Sequence, residues 1–406
     1  MIRRPTLLAT SIAAVITCNS AQAAPSQEEM WDMLQTLKKQ NEALQQEVQQ
    51  LKNDQHKTND QLEATAAAIE ETGNRVTQSV GWFERTQIGG YGELHYNNLH
   101  DSDGNDKEEI DLHRFVLFVS HEFTDDIRFF SEFEIEHDIA GEGKNGEVEV
   151  EQAFIDFDLN DNHTARAGLF LLPIGIINET HEPPTFYGVE RNVVENNIIP
   201  VTWWEGGVGL HGKLGNGLSY DAYVHSGLNV PVAGGNAFRI RSGRQKVSEA
   251  NARDWATTGR LKYTGIAGLE LSLSLQYAED ITQGAANAEA LFWETHLIYN
   301  TGPFTLKALY AAWDIDSEAF KNANADEQYG WYIEPSWKLN TSLGLFARYS
   351  EFERAKGDLD AFQQIDFGVN YYPHEDVVLK ADYQIQQSDR GEAERDGFNL
   401  GIGYQF

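Results

Sequence analysis

The chain has 406 residues and a formal net charge of -32, with 63 acidic against 31 basic side chains. That balance argues against nucleic acid as a partner, because phosphate contacts need a basic face. Cys18 is the only cysteine and sits in the leader described next, which excludes disulfide and thiol chemistry from the rest of the chain.

Arg3 and Arg4 precede an apolar stretch over residues 7–17, and Ala21-Gln22-Ala23 fits a small-x-small cleavage site. Residues 1–23 are therefore expected to be a secretory signal peptide. Residues 24–79 form the next unit. From Met30 the apolar side chains fall four and three apart: Leu34, Asn41 and Val48 take the a positions, Leu37, Leu44 and Leu51 the d positions. This is the seam of a left-handed coiled coil, with polar Asn41 and Gln55 fixing register and strand number. The seam has nothing on its own chain to bury against, so it implies an oligomer. Gly73-Asn74 is expected to end the helix, with a short linker leading to a third unit at residue 80.

From Gln87 the period changes from seven to two. Ala153, Ile155, Phe157 and Leu159 alternate with Phe154, Asp156 and Asp158, and Leu269, Leu271, Leu273 and Leu275 alternate with Glu270, Ser272 and Ser274. Beyond the leader no run of about eighteen apolar residues occurs, so a spanning helix is not expected. Alternation over about ten residues is the sign of strands with one face in lipid and the other in a wet lumen. Such segments run near 87–99, 110–123, 127–138, 147–159, 165–172, 204–213, 218–226, 253–264, 269–279, 289–300, 304–313, 327–339, 342–353, 362–372, 376–386 and 395–406. They predict an all-β fold, a transmembrane antiparallel barrel of about sixteen strands over residues 80–406. Tight turns alternate with longer charged connections, which makes 173–203 the third long loop. Its Phe186, Tyr187, Ile198, Ile199, Trp203 and Trp204 suggest packing inside the pore as a constriction. The last segment alternates up to Phe406, the end that the assembly machinery of outer-membrane barrels reads.

Three stretches carry a family likeness: Ala167-Gly-Leu-Phe-Leu-Leu-Pro-Ile-Gly175, Thr180-His-Glu-Pro-Pro-Thr-Phe-Tyr-Gly-Val-Glu-Arg191 and Trp204-Glu-Gly-Gly-Val-Gly-Leu210. With Phe238-Arg-Ile-Arg-Ser-Gly-Arg-Gln-Lys-Val-Ser-Glu-Ala-Asn251 and Gly259-Arg-Leu-Lys-Tyr263, they resemble the phosphate-selective porin O and P family. The likeness covers most of the chain from about Gln87. It implies a homotrimeric outer-membrane channel whose arginines and lysines set an anion preference, with the coiled coil in the periplasm.

Selectivity follows from the charges that line a pore. By alternation Arg114, Arg128, Arg166, Arg260, Lys262, Lys307, Arg348 and Lys380 face the lumen. That pattern is expected of any barrel, since a charge facing lipid at mid-depth costs about 2–4 kcal/mol. Clustering is more specific: Arg239, Arg241, Arg244, Lys246, Arg260 and Lys262 concentrate in and after the fourth loop, and arginine forks suit bidentate contact with oxyanions. The alternative for this loop is to bind lipopolysaccharide phosphates or acidic neighbours. The constriction loop is instead acidic, with Glu179, Glu182, Glu190 and Glu195 beside Tyr187 and Arg191, so a general or weakly cation-selective diffusion pore is a rival. Small anionic solutes are the expected cargo, phosphate or related oxyanions among them.

An enzyme would need a converging nucleophile and base, and the histidines are scattered over strands. Glu132, Glu134 and Glu136 with His137 could suggest a metal site, but same-face glutamates on a strand are more often a solvated lumen wall. No loop carries an EF-hand pattern. No cofactor or metal is expected. A structural role remains, in which the coiled coil tethers the envelope and the barrel only anchors it.

Overall fold

The computed structural model of the chain describes residues 26–101, 104–137, 146–355, 361–388 and 394–406. The expected signal peptide lies outside the described residues. Helix α1 (Gln27–Glu84) opens on a capping box, in which Ser26 Oγ accepts from the Glu29 N–H at 3.3 Å and Glu29 Oε2 from the Ser26 N–H at 2.9 Å. Its seam residues Leu34, Leu37, Leu44, Val48 and Leu51 are 50–63% exposed, an apolar stripe without a partner among the described residues. The helix runs unbroken through Gly73 and Asn74, where the sequence suggested an end. A glycine in a helix costs roughly 1 kcal/mol, but it stops the helix only when it turns left-handed.

The sixteen strands are β1 (Thr86–Asp101), β2 (Lys107–Thr124), β3 (Ile127–Glu136), β4 (Glu147–Asn160), β5 (His163–Leu171), β6 (Trp204–Gly215), β7 (Leu218–His225) and β8 (Ala256–Tyr263), then β9 (Leu269–Ala278), β10 (Glu289–Thr301), β11 (Phe304–Asp316), β12 (Glu327–Asn340), β13 (Leu343–Glu353), β14 (Ala361–His374), β15 (Val377–Ser388) and β16 (Arg395–Gln405). Each pairs antiparallel with its neighbours, and β1 pairs with β16, so the sheet closes on itself. Closure leaves no edge strand with unpaired backbone groups, as a lipid environment requires. Phe406 finishes the seam: its N–H donates to the Gly90 carbonyl and its carbonyl accepts from the Gly90 N–H, both at 2.9 Å.

The burial pattern is that of a membrane barrel. Leu271, Leu273, Leu275 and Tyr277 are 41–48% exposed on the outer face of β9, whereas Ser272, Ser274 and Gln276 between them are at most 4% exposed. Seven turns of two to five residues alternate along the chain with eight connections of five residues or more, L1 to L8 in chain order. L3 (172–203) and L4 (226–255) are the longest of these.

L3 folds into the barrel and supplies its apolar core. Ile174, Val194, Ile198, Ile199 and Trp203 are fully buried with Phe292 and Trp313 of the inner wall. A 3-10 turn (Pro183–Thr185) and one turn of helix, α2 (Val193–Asn197), shape the loop, while α3 (Glu318–Asn322) lies between β11 and β12. The wall meets L3 with polar anchors: Trp313 Nε1 donates to the Ile198 carbonyl at 2.9 Å, Ser274 Oγ to Pro173 at 3.1 Å and Asn370 Nδ2 to Phe186 at 3.2 Å. It also makes room with glycines. A Cβ on Gly330 of β12 would stand 2.8 Å from Val194 Cγ1, and Pro183 lies directly over Gly403 of β16.

Candidate functional site

Where L3 leaves the lumen unfilled, a cavity of about 450 Å³ opens between L3, L4 and the inner wall of β1, β2 and β4. Lys107, Arg114, Arg191, Arg241, Arg244, Lys246 and Arg395 line it, against Glu93, Glu136, Glu149 and Glu190. L4 enters through its own 3-10 turn (Ile240–Gly243), which buries Ile240 and aims Arg241 at Asn196 of α2 and Arg244 at Thr202. The same anchoring turns Arg239 outward, where it is exposed and does not line the cavity.

The arginines differ in how they are compensated. Arg114 is held among carboxylates, with Nε 2.7 Å from Glu93 and Nη1 3.1 Å from Glu134. Arg241 and Arg244 instead donate to backbone: Arg241 Nη1 to the Asn196 carbonyl at 3.1 Å and to that of Val201, Arg244 Nη1 to that of Thr202 at 2.6 Å. Carbonyl dipoles orient a guanidinium but do not cancel its charge. Arg191 keeps Nε and Nη2 buried without a hydrogen-bond partner among the described residues, as Arg244 does its Nε. Burial, and after it the proximity of Arg244, Arg191 and Arg114, pushes Arg241 well below the usual arginine range. Burial also lowers Arg244, against the pull of Glu151, Glu149 and Glu136. An anion entering between them would relieve that repulsion and fill the open donors.

Lys246 is partly neutralised by Glu147 and Glu149. On the opposite side Glu190 Oε1 accepts from Asn97 Nδ2 at 3.1 Å and meets His95 Nδ1 at 3.2 Å, and the His95 ring stacks on His113 at 4.6 Å. The cavity therefore has a cationic side built from L3 and L4 and a mixed side built from β1 and β2.

A model of the Gram-negative porin family matches residues 64–391. The chain belongs to the Gram-negative porin family. As a porin it is a channel of the bacterial outer membrane, and family and fold point away from an enzyme. An uncharacterized protein of Aquifex aeolicus is 30% identical over 361 residues, 79% of either chain. Among solved structures, the anion-selective porin from Comamonas acidovorans superposes with a TM-score of 0.59 at 11% identity, over 79% of this chain and 99% of that one. The in-vitro folded OmpT of Vibrio cholerae in its trimer form gives 0.53 at 12% identity, over 79% and 100%.

The porin brings into the cavity only some of the residues suggested by alternation, by the fourth-loop cluster and by the constriction loop. Arg114, Arg191, Arg241, Arg244, Lys246 and Glu190 line it. Arg166 faces inward nearer the turns, as a bidentate partner of Asp156 at 2.8 and 2.9 Å. Arg260 is likewise paired, with Asp221 at 2.8 Å and with Glu179, and Lys262 lies two residues further along β8, outside the cavity lining. In the constriction loop Glu182 precedes the 3-10 turn, its carbonyl accepting from the Thr185 N–H at 2.9 Å and its side chain making no cap, and Tyr187 stacks on Phe346 at 5.4 Å. Glu195, fully buried, accepts from the Ile176 and Ile177 N–H groups at 2.9 Å and from Tyr332 Oη at 2.7 Å, so it holds the loop in shape and faces no solute. Glu93, His95, Lys107 and Arg395 are cavity residues that the clustering argument passed over. Glu93 and His95 share the inward parity of Tyr91 and Asn97, which was the available signal.

Proposed function

We propose that this porin is a homotrimeric channel for passive diffusion of small anions, phosphate and related oxyanions among them. The observation that carries the reading is the convergence of Arg191, Arg241 and Arg244 on one cavity, where Arg191 Nε and Nη2 and Arg244 Nε are buried without a hydrogen-bond partner among the described residues and Arg241 is held by backbone carbonyls. The sequence likeness to the phosphate-selective porin O and P family supports the same direction. A rival reading, a general or weakly cation-selective pore, draws on Glu93, Glu136, Glu149 and Glu190 in the same cavity. The proposed layout is a signal peptide over residues 1–23, a periplasmic coiled coil over 24–79 and the barrel beyond, with Phe406 as the signal for the barrel assembly machinery. The exposed heptad seam of α1 supports assembly with further copies of the chain. L4 and other outer loops would meet lipopolysaccharide.

The test is single-channel conductance of the refolded protein in a planar bilayer, with a salt gradient and phosphate titrated against chloride. The expected result is an anion-selective reversal potential and a chloride current that phosphate reduces. Alanine at Arg191, Arg241 and Arg244 is expected to weaken both. Cation selectivity, or no phosphate effect, would leave the general pore. A conductance-silent barrel whose deletion of residues 26–76 impairs the envelope would favour the tether.

A further inference from the structure

Beneath the arginine cluster, L3 is joined to β3 and β4 by a second group of side chains that the channel reading does not use. Glu132 of β3, Glu151 of β4 and His181 of L3 are each at most 3% exposed. Each offers one ligand atom, and the three atoms lie within 4.8 Å of one another, with His181 Nε2 facing Glu132 Oε1 and Glu151 Oε2. Every outer atom is held by a different partner. His181 Nδ1 lies 3.1 Å from the Asn178 carbonyl, Gln152 Nε2 donates to Glu132 Oε2 at 2.7 Å, and Thr202 Oγ1 donates to Glu151 Oε1 at 2.8 Å. The inner Glu151 Oε2 is buried with no hydrogen-bond partner.

We propose that Glu132, Glu151 and His181 form a binding site for a divalent transition metal ion, zinc or one of similar preference, that fastens the constriction loop to the barrel wall. With Nδ1–H donated to a carbonyl, His181 keeps its Nε2 lone pair for the metal, the usual arrangement of a ligating imidazole and its outer partner. The spacing supports coordination over an imidazolium ion pair. His181 Nε2 lies 3.3 Å from Glu132 Oε1 and 3.6 Å from Glu151 Oε2, longer than the ~2.8 Å of a charge-assisted hydrogen bond. Ligand atoms 2.0–2.1 Å from a tetrahedral zinc are about 3.3 Å apart. One imidazole with two carboxylates suits zinc, manganese or ferrous iron, and the two anionic charges balance the dication. Because Thr202 and His181 both belong to L3, an occupied site would hold both limbs of the loop against β3 and β4.

The experiment uses the full chain refolded in detergent, stripped with EDTA and titrated calorimetrically with ZnCl2. The expected result is one saturable equivalent per chain. His181→Gln is expected to abolish it, and Thr202→Val, which leaves all three ligands, to weaken it about 10–100-fold. Cobalt substituted into the wild-type chain provides a readout that needs no variant: strong tetrahedral d–d absorption is expected, and chelation should remove it. Absence of a saturable equivalent would overturn the site and leave an imidazolium ion pair. So would binding that survives His181→Gln and is lost in Asp111→Asn, which alters the more exposed Asp111, His113 and His137 group.

Discussion

Arg348 and Arg244 both point into the same barrel, yet their surroundings are opposite. Arg348, on β13, lies under L3 with Glu334 at 3.1 Å, Asp366 at 3.0 Å and the Tyr187 carbonyl at 3.4 Å. Its neighbour Lys380 donates to the Gly188 carbonyl at 2.8 Å and sits 3.6 Å above the Phe186 ring. Arg244 lies on the side that L3 leaves open, held by one carbonyl and a Trp204 ring 5.8 Å away. An inward charge on a strand or loop is thus no evidence of a role in permeation. Between these two arginines, coverage by the constriction loop separates a structural ion pair from a group that borders the open cavity.

The strongest way to break this comparison is to remove each arginine in turn. Arg348→Ala leaves Glu334 and Asp366 buried without their partner and is expected to cost about 3–5 kcal/mol in urea unfolding of the refolded barrel. Arg244→Ala removes one hydrogen bond, about 1 kcal/mol, and is expected to move the reversal potential toward cations. Equal stability losses, or a larger selectivity change for Arg348→Ala, would dissolve the distinction.

Glu195→Ala tests whether the covered half depends on the loop's own shape. It strips the acceptor from Ile176, Ile177 and Tyr332 and should cost about 1–3 kcal/mol, with a noisier and larger conductance as L3 loosens. Gly330→Ala pushes on Val194 and Ile198 from the wall side. Overpacking there should cost about 1–3 kcal/mol and raise conductance with little change in ion preference.

The smallest effect concerns Glu190, which borders the open half. Burial alone would raise its carboxyl, but the His95 and Asn97 hydrogen bonds and the His95 charge outweigh it, holding the group below its ordinary value of 4.5. A depressed carboxyl stabilises the fold above that ordinary value and loses its contribution as pH falls through the folded-state value. The melting temperature of Glu190→Gln should therefore lie below wild type by a constant amount from neutral pH down to about 4.5, with the gap closing only in more acidic buffer. A gap that closes near neutrality would place the proton elsewhere.

The strand count, the antiparallel order and the position of the third loop were legible because alternation and turn spacing are local properties. Leu271, Leu273 and Leu275 declare an outward face whatever lies across the barrel. The helix ahead of the barrel was legible in the same way, although it outran Gly73, where one residue's cost was too small to stop it. Glu195 was read as a constriction residue because its charge was visible and its three donors were not. Arg239 was grouped with Arg241 because they are neighbours in sequence, and the turn that separates them needs the buried Ile240.

What the sequence determined by itself was a barrel of alternating strands with a long third loop and a helix ahead of it, since periodicity needs only nearest neighbours. What the tertiary structure decided was which charges are used up. Pairings such as His181 with Glu132 and Glu151, or Arg348 with Glu334 and the Tyr187 carbonyl, join residues from separate strands and a loop that crosses the lumen. No local pattern encodes them, because each depends on where L3 lands on the far wall.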